Sequence, residues 1–212
     1  MKRNLLFLTL ALLLVLTACG VRSGGNPYEG ELLICLDAGH GGTDSGAVLE
    51  QRLEKDDNLT MALAVGAHLE AAGLRVIYTR GDDTFVELKE RANYANKQGA
   101  SMFVSFHRNA GGGQGAEVWI DKSPDKWEQS LGAAIQKALV QIGFTDRGVK
   151  KGTAASKLQN YTVIGRTEMP ACLVELGFID NPDDNALLDT YQTELARGIA
   201  DAILAQVGVK AA

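Results

Sequence analysis

The sequence predicts an α/β fold: a single domain on a mostly parallel, twisted sheet of about six strands, with helices on both faces. Short apolar runs bounded by Gly or polar residues alternate with longer stretches whose apolar residues recur at helical spacing, the pattern of buried strands joined by crossover helices. The 212 residues, 46% hydrophobic and 22% charged, are enough to fill one core and short for two. No internal repeat competes with this reading.

The N-terminus is read first and set aside. Met1-Lys-Arg-Asn4 is basic and precedes a nearly unbroken apolar run from Leu5 to Leu16, too short to span a bilayer comfortably. A basic start, an apolar middle and small residues at the end are the marks of an export signal, here residues 1–18. It closes on Leu16-Thr-Ala-Cys19, which resembles the acylation motif of bacterial lipoproteins, so Cys19 is expected to be a lipidated membrane anchor. The alternative is an ordinary secretory signal with an incidental Cys. Residues 19–30, rich in Gly and polar side chains, read as a flexible tether, and 31–212 as the folded domain. Loss of Lys2 and Arg3 makes the mature chain more acidic than the formal net charge of −5, which leaves nothing basic to attract nucleic acid.

Glu31 to Asp37 is an apolar run ending at Ala-Gly, a buried strand that delivers His40 into a loop with Gly39, Gly41, Gly42 and Gly46. Glycines there permit positive φ and close approach to a ligand. Leu59, Ala62, Leu63 and Leu69 have helical spacing, so a helix is expected from Glu54 to Ala72, closed by Gly73. Leu74 to Thr79 reads as a strand, Val86 to Lys97 as a helix, and Ser101 to Phe106 as a strand ending at His107. Glu117 to Ile120 adds a strand, Pro124 to Gly143 a helix, Ala171 to Glu175 the last strand, and Asp183 to Val207 one C-terminal helix. Between them, 146–162 reads as loops, with a short strand around Tyr161 to Ile164. Cys35 and Cys172 lie in apolar strands as small hydrophobes, and two positions in sequence do not establish a disulfide.

In open α/β sheets, ligands gather beyond the carboxyl ends of the strands. His40, His107 and Glu175 fall at such ends, and Glu54 starts the helix that follows the His40 loop. Two imidazoles and a carboxylate form one of the ligand sets of hydrolytic zinc, which leaves an open position for water. The chain has three His; His68 sits mid-helix, away from any strand end, and is set aside. Glu50, Glu54 and Asp44 compete as the carboxylate ligand. Glu54 is preferred because a helix start fixes its side chain, although it could simply favour the helix dipole; its neighbour Lys55 is expected to face solvent. Asp37 either orients a ligand or the Gly loop, or caps that loop.

Glu175 stands in the apolar run Ala171-Cys-Leu-Val-Glu-Leu-Gly-Phe178, where burial without a partner costs several kcal/mol. Beside a metal it can take the proton as water attacks and pass it to the departing amine. The structural alternative is an ion pair with Arg. Arg80 and Arg91 are expected to pair with acids such as Asp82, Asp83 or Glu87. Asn109 either binds substrate or steadies its loop, and Arg108 is expected to face anionic substrate.

Together these motifs resemble those of the zinc-dependent N-acetylmuramoyl-L-alanine amidases, the type-three amidase family of bacterial cell-wall hydrolases. The resemblance covers about residues 32–206. It rests on Asp37-Ala-Gly-His-Gly-Gly42, Glu54-Lys55 with Asn58-Leu59, Thr79-Arg80, Arg91 with Ala95-Asn96, Ser105-Phe-His107 with Asn109, Arg147-Gly-Val149, and Met169-Pro170 leading to Glu175-Leu-Gly-Phe178 with Asn181. It implies Zn2+ held by His40, Glu54 and His107, with Glu175 as catalytic acid/base, and peptidoglycan as substrate, cut between the lactyl group of N-acetylmuramic acid and L-alanine. Ala38, where the family often has Pro, and Arg108, where a small residue is frequent, depart from the pattern without touching a ligand. Some relatives carry an inserted helix that plugs the site; here ordinary elements use the whole segment from His107 to Glu175, so an uncovered cleft is expected. Two rival readings are a zinc peptidase cutting within the stem peptide and a non-catalytic wall-binding lipoprotein.

Overall fold

A computed structural model describes residues 27, 28 and 30–209. The expected signal at 1–18 and the Cys19 anchor lie outside the described residues. Tyr28, inside the expected tether, is buried, and its ring meets Trp127 edge-on at 5.3 Å.

The chain runs β1 (Leu33–Ala38), β2 (Val48–Leu49), β3 (Arg52–Leu53), α1 (Glu54–Ala71), β4 (Arg75–Tyr78), α2 (Leu88–Gln98), β5 (Met102–Asn109), β6 (Ala116–Ile120), α3 (Lys126–Ile142), β7 (Asp146–Lys151), α4 (Thr162–Gly165), β8 (Ala171–Phe178), α5 (Pro182–Thr190) and α6 (Gln192–Val207). Six strands form one sheet in the order β4-β1-β5-β8-β6-β7, and β2 and β3 form a separate hairpin. Pairing is parallel except between β6 and β8, in agreement with a mostly parallel sheet.

Period-two alternation divides the strands between two cores. Ile34, Leu36, Val104, Phe106, Cys172, Val174 and Val118 join α1, α3 and α6 in the larger one, while Cys35, Phe103, Leu173 and Trp119 join residues of α2 and α4 on the opposite face. Cys35 and Cys172 are therefore buried on opposite faces with β5 between their strands, and both are free thiols. On the second face, polar residues replace apolar ones toward the carboxyl ends. Asp37 pairs with Ser105, and one step further His107 is in register with Glu175, and Glu175 with Glu117. A polar row thus crosses β5, β8 and β6 on the face covered by the smaller helices.

Five boundaries differ from expectation, the last strand among them: β8 runs on to Phe178, so Glu175 lies inside it rather than at its end. The region 146–162 contains β7, whose Asp-Arg-Gly-Val-Lys-Lys sequence is polar because it is an edge strand with little apolar packing to show. The expected strand near Tyr161 is the short helix α4. The C-terminal helix is two, because Tyr191 leaves helical geometry at φ −117° and ψ 25°; the Asn181 side chain caps α5 by accepting from the Asp183 and Asp184 amides. His107 lies inside β5, which runs on to Asn109 through a bulge.

Candidate metal centre and active site

Of the expected ligands, His40, Glu54 and His107 are brought together, with one ligand atom of each within 4.8 Å of the others. His40 leaves β1 in the left-handed region, φ 61°, an unusual conformation for a residue with Cβ. Two arginines hold it there. Arg91 donates to the carbonyls of Ala38, Val86 and His40 and forms a buried ion pair with Asp37 at 2.9 Å. Arg80 donates to the carbonyls of Ala38, Gly39, Lys55 and Asp82. Neither pairs with the acids of 82–87: Arg80 spends its fork on backbone oxygens that the turn leaves without strand partners. Asp37 also accepts from Thr79 and Ser105, so it orients the Gly loop through Arg91. Lys55 is buried rather than solvent-facing, and donates to Gly42 O and Asp83.

Close approach explains two glycines. A Cβ at Gly39 would lie 2.3 Å from the His107 ring, and one at Gly46, 2.6 Å from both Glu54 Oε2 and the His40 ring. Glu54, buried in the first turn of α1, has Oε2 tied to the Ala47 amide, which aims Oε1 at the imidazoles: 2.9 Å to His107 Nδ1 and 3.2 Å to His40 Nε2. Asn58 Nδ2 and the Arg108 amide also reach Oε1. Asp44 is a partner of His40 instead of a rival ligand. It accepts from Nδ1 at 2.8 Å and so leaves Nε2 as the atom facing Glu54. Glu50, on the exposed tip of the β2–β3 hairpin, lies outside the cluster, as does His68 on α1.

Burial alone would raise the Glu54 pKa, but hydrogen bonds and charge from His107 and His40 outweigh it and hold the carboxyl well below the usual range. Burial likewise opposes the charge on His40, yet Glu54 and Asp44 push its pKa up to about 9. Three donors converge on one centre that favours positive charge. Tetrahedral zinc with bonds of roughly 2.0–2.1 Å places its ligand atoms about 3.4 Å apart, close to the 2.9 and 3.2 Å seen here. The residues present fit such an ion.

Glu175 faces the centre from β8, beside His107. It is 9% exposed, and its Oε2 has no hydrogen-bond partner. Among the described residues it forms no ion pair, contrary to the structural alternative of an Arg partner. Burial, only partly offset by His107 and reinforced by Glu54 and Glu117, raises its pKa to about 7. A carboxyl poised between its two protonation states near neutrality suits proton transfer.

Arg108 points to the other side of β5, where its buried guanidinium meets Asp57 and donates to Asn185 Oδ1 and the carbonyls of Gly177 and Phe178. It is a structural anchor rather than a substrate contact, because strand alternation turns it away from the face of His107. Asn109 donates to Glu117 Oε1 at 3.0 Å. Glu117 is the part of the site that sequence reading missed. Buried next to Glu175 in the polar row, it accepts from Arg147 at 2.7 Å and Lys150 at 2.6 Å. A charged residue within the apolar run of Ala116–Ile120 was the available signal.

Comparison with known proteins agrees with this geometry. The family described as N-acetylmuramoyl-L-alanine amidase matches residues 34–205. The chain is 37% identical to YqiI of Bacillus subtilis (strain 168), over 90% of its own length and 91% of that protein. It is 38% identical to the N-acetylmuramoyl-L-alanine amidase LytC of the same organism, over 83% of its own length but only 35% of LytC. Among solved structures, the catalytic domain of the amidase CwlV from Bacillus (Paenibacillus) polymyxa var. colistinus superposes with a TM-score of 0.75 at 37% identity, covering 84% of this chain and 99% of that one. The chain belongs to the N-acetylmuramoyl-L-alanine amidase family.

Proposed function

We propose that this protein hydrolyses the amide between the lactyl group of N-acetylmuramic acid and the L-alanine of peptidoglycan stem peptides, with Zn2+ held by His40, Glu54 and His107 and with Glu175 as acid/base. The observation that carries the assignment of roles is a buried, unpartnered Glu175 Oε2 in register with His107, beside a His-Glu-His cluster. A zinc ion bound there supplies Lewis acidity toward an amide carbonyl and toward water.

The protein's own groups do the rest. Asp44 accepts a hydrogen bond from the His40 Nδ1–H and so fixes its tautomer. Ala47 N holds Glu54 Oε2, so the carboxylate cannot swing away from the imidazoles. Glu175 accepts the proton lost as water adds to the carbonyl, then delivers it to the lactyl-alanine nitrogen as the C–N bond breaks. Burial, with the nearby Glu54 and Glu117 carboxylates, raises its pKa to about 7, which suits it to both steps. We also propose that Cys19 is acylated and tethers the domain to the outside of the cell membrane, facing the wall. The Leu16-Thr-Ala-Cys19 sequence supports this, and Cys19→Ser should release the protein into the soluble fraction.

Digestion of purified peptidoglycan with and without chelator tests the reaction. The expected result is new L-alanine amino termini, abolished by chelator and restored by zinc. Intact lactyl-alanine linkages with cut stem peptides would instead establish the peptidase reading, and no cleavage at all the non-catalytic one.

A further inference from the structure

The pole opposite the metal centre carries two features that the reaction does not use. The parallel strands β1, β5 and β8 direct their carboxyl ends toward the metal ligands, so their amino ends mark the far pole. β6 runs against β8, and β7 runs with β6, so both of these strands end at that pole, with Lys151 in register with Ile120. The first feature is the entry of the chain. Tyr28, buried just ahead of β1, packs on Trp127 at the start of α3 and fixes the far pole as the place where the preceding residues attach.

The second feature is the loop that leaves β7. Leu158 is 82% exposed, and no other large apolar side chain among the described residues exceeds 54%. The fold holds it outward. Thr153 and Ser156 exchange backbone hydrogen bonds, the Leu158 amide donates to Ser156 Oγ, and Asn160 fastens the loop to Asp121 and to the Lys122 amide. Lys122 Nζ donates to Leu158 O at 3.3 Å. From Arg147 to Thr167 the sequence has five cations and no acid, in a chain whose net charge is −5. Glu117 receives Arg147 and Lys150, which leaves Lys151, Lys157 and Arg166 without a salt-bridge partner among the described residues. The acids nearby are engaged by the fold: Asp121 by Ser123 and Asn160, and Asp125 with Glu128 by the capping box at the positive end of α3. A protruding leucine beside uncompensated lysines suits a layer of anionic lipid headgroups.

Resting on the acylated Cys19 put forward above, we propose that this pole is a membrane-docking surface: Leu158 enters the headgroup layer of an anionic bilayer, Lys122 and Lys157 meet its phosphates, and Lys151 adds to the attracting field. The length of chain ahead of Tyr28 supports this occupant. Eight residues, Cys19 to Asn26, precede Pro27 and reach at most about 28 Å when fully extended. A domain of this size is roughly 40 Å across. Turning the metal rim toward the bilayer would lift Tyr28 by that distance, beyond the reach of the tether. The tether therefore keeps the far pole near the membrane at high local concentration, and the loop turns nearness into contact. The metal centre faces away from the lipid.

The test places a donor dye either at Gln159→Cys, beside Leu158, or at Gln51→Cys, exposed on the β2–β3 hairpin at the metal rim. Cys35 and Cys172 are buried and do not take the label. The acylated protein is inserted into vesicles of equimolar phosphatidylglycerol and phosphatidylcholine that carry a headgroup acceptor. The label at 159 is expected to lose most of its emission, and the label at 51, about 40 Å farther from the lipid, to keep it. In the mature chain carrying Cys19→Ser, Lys157→Glu combined with Leu158→Ser should weaken sedimentation with the same vesicles at least about tenfold, while Lys137→Glu, on the exposed face of α3, leaves it unchanged. Equal transfer from the two labels, vesicle binding that survives the double substitution, or a preference for soluble polyphosphate over the vesicles overturns the proposal. An unmodified Cys19 in the exported protein would count against the anchor instead, and sedimentation of the Cys19→Ser chain, which needs no acyl group, still decides the surface.

Discussion

Replacing Glu175 by Gln should stabilise the metal-free protein while abolishing its activity. The carboxyl is buried with Oε2 unpartnered, and its pKa rises from 4.5 to about 7, chiefly through burial. A raised folded-state pKa means that the native protein retains a proton the unfolded chain gives up. The stability contributed by this group is thus intact below about pH 4.5 and is lost as pH climbs through about 7. A shift of that size corresponds to about 3 kcal/mol at pH 8. Gln has nearly the same shape and no charge to desolvate, so it avoids the loss. In thermal unfolding with chelator present, Glu175→Gln should melt roughly 6–12 °C above wild type at pH 8, converging with it near pH 4.5. Added zinc should shrink the gap, because a nearby cation favours the carboxylate. A gap that does not change with pH, or a variant less stable at pH 8, would refute the account of Glu175 as a carboxyl held under strain for proton transfer.

Other perturbations reach different parts of the site. His40 in the metal-free protein has its pKa raised to about 9 by Glu54 and Asp44 against the effect of burial, so it is protonated at pH 7; zinc binding should release about one proton there, read as a buffer-dependent heat by calorimetry, and affinity should fall as pH drops. Gly39→Ala places a methyl 2.3 Å from the His107 ring and should cost at least tenfold in metal affinity, measured with a competing chelator, with little change in helix content. Arg108→Ala leaves Asp57 facing Arg52 alone and strips buried carbonyls of a donor, so unfolding in urea should show a loss of about 3–5 kcal/mol. The purified domain should digest wall steadily without an activator protein, as the expected uncovered cleft requires; strict dependence on one would contradict it.

Much of this was legible in the chain, for identifiable reasons. His40, His107 and Glu175 sit at or near the ends of strands made conspicuous by apolar runs buried on both faces, and parallel topology places such ends on one rim. Glu54 could be chosen over Glu50 because a helix start is rigid. What escaped were features that depend on pairing across space. Edge strand β7 shows little apolar signal because it buries little, and the β2–β3 hairpin is too short to register. Arg108 and Lys55 carry charge, yet both are buried, because Asp57, Asp83 and backbone carbonyls from distant segments receive them. Asp44 read as a rival ligand because nothing in one dimension reveals that it meets the outer nitrogen of His40. Glu117 went unremarked since its importance comes from lying beside Glu175 on an antiparallel neighbour.

The most direct check is a crystal structure of the zinc-loaded domain with data collected on both sides of the zinc absorption edge. The account predicts a single strong anomalous peak within about 2.0–2.2 Å of His40 Nε2, a Glu54 carboxylate oxygen and a His107 ring nitrogen, with the Glu175 carboxyl facing the fourth position. A peak held by other residues, or none at this cluster under saturating zinc, would contradict it.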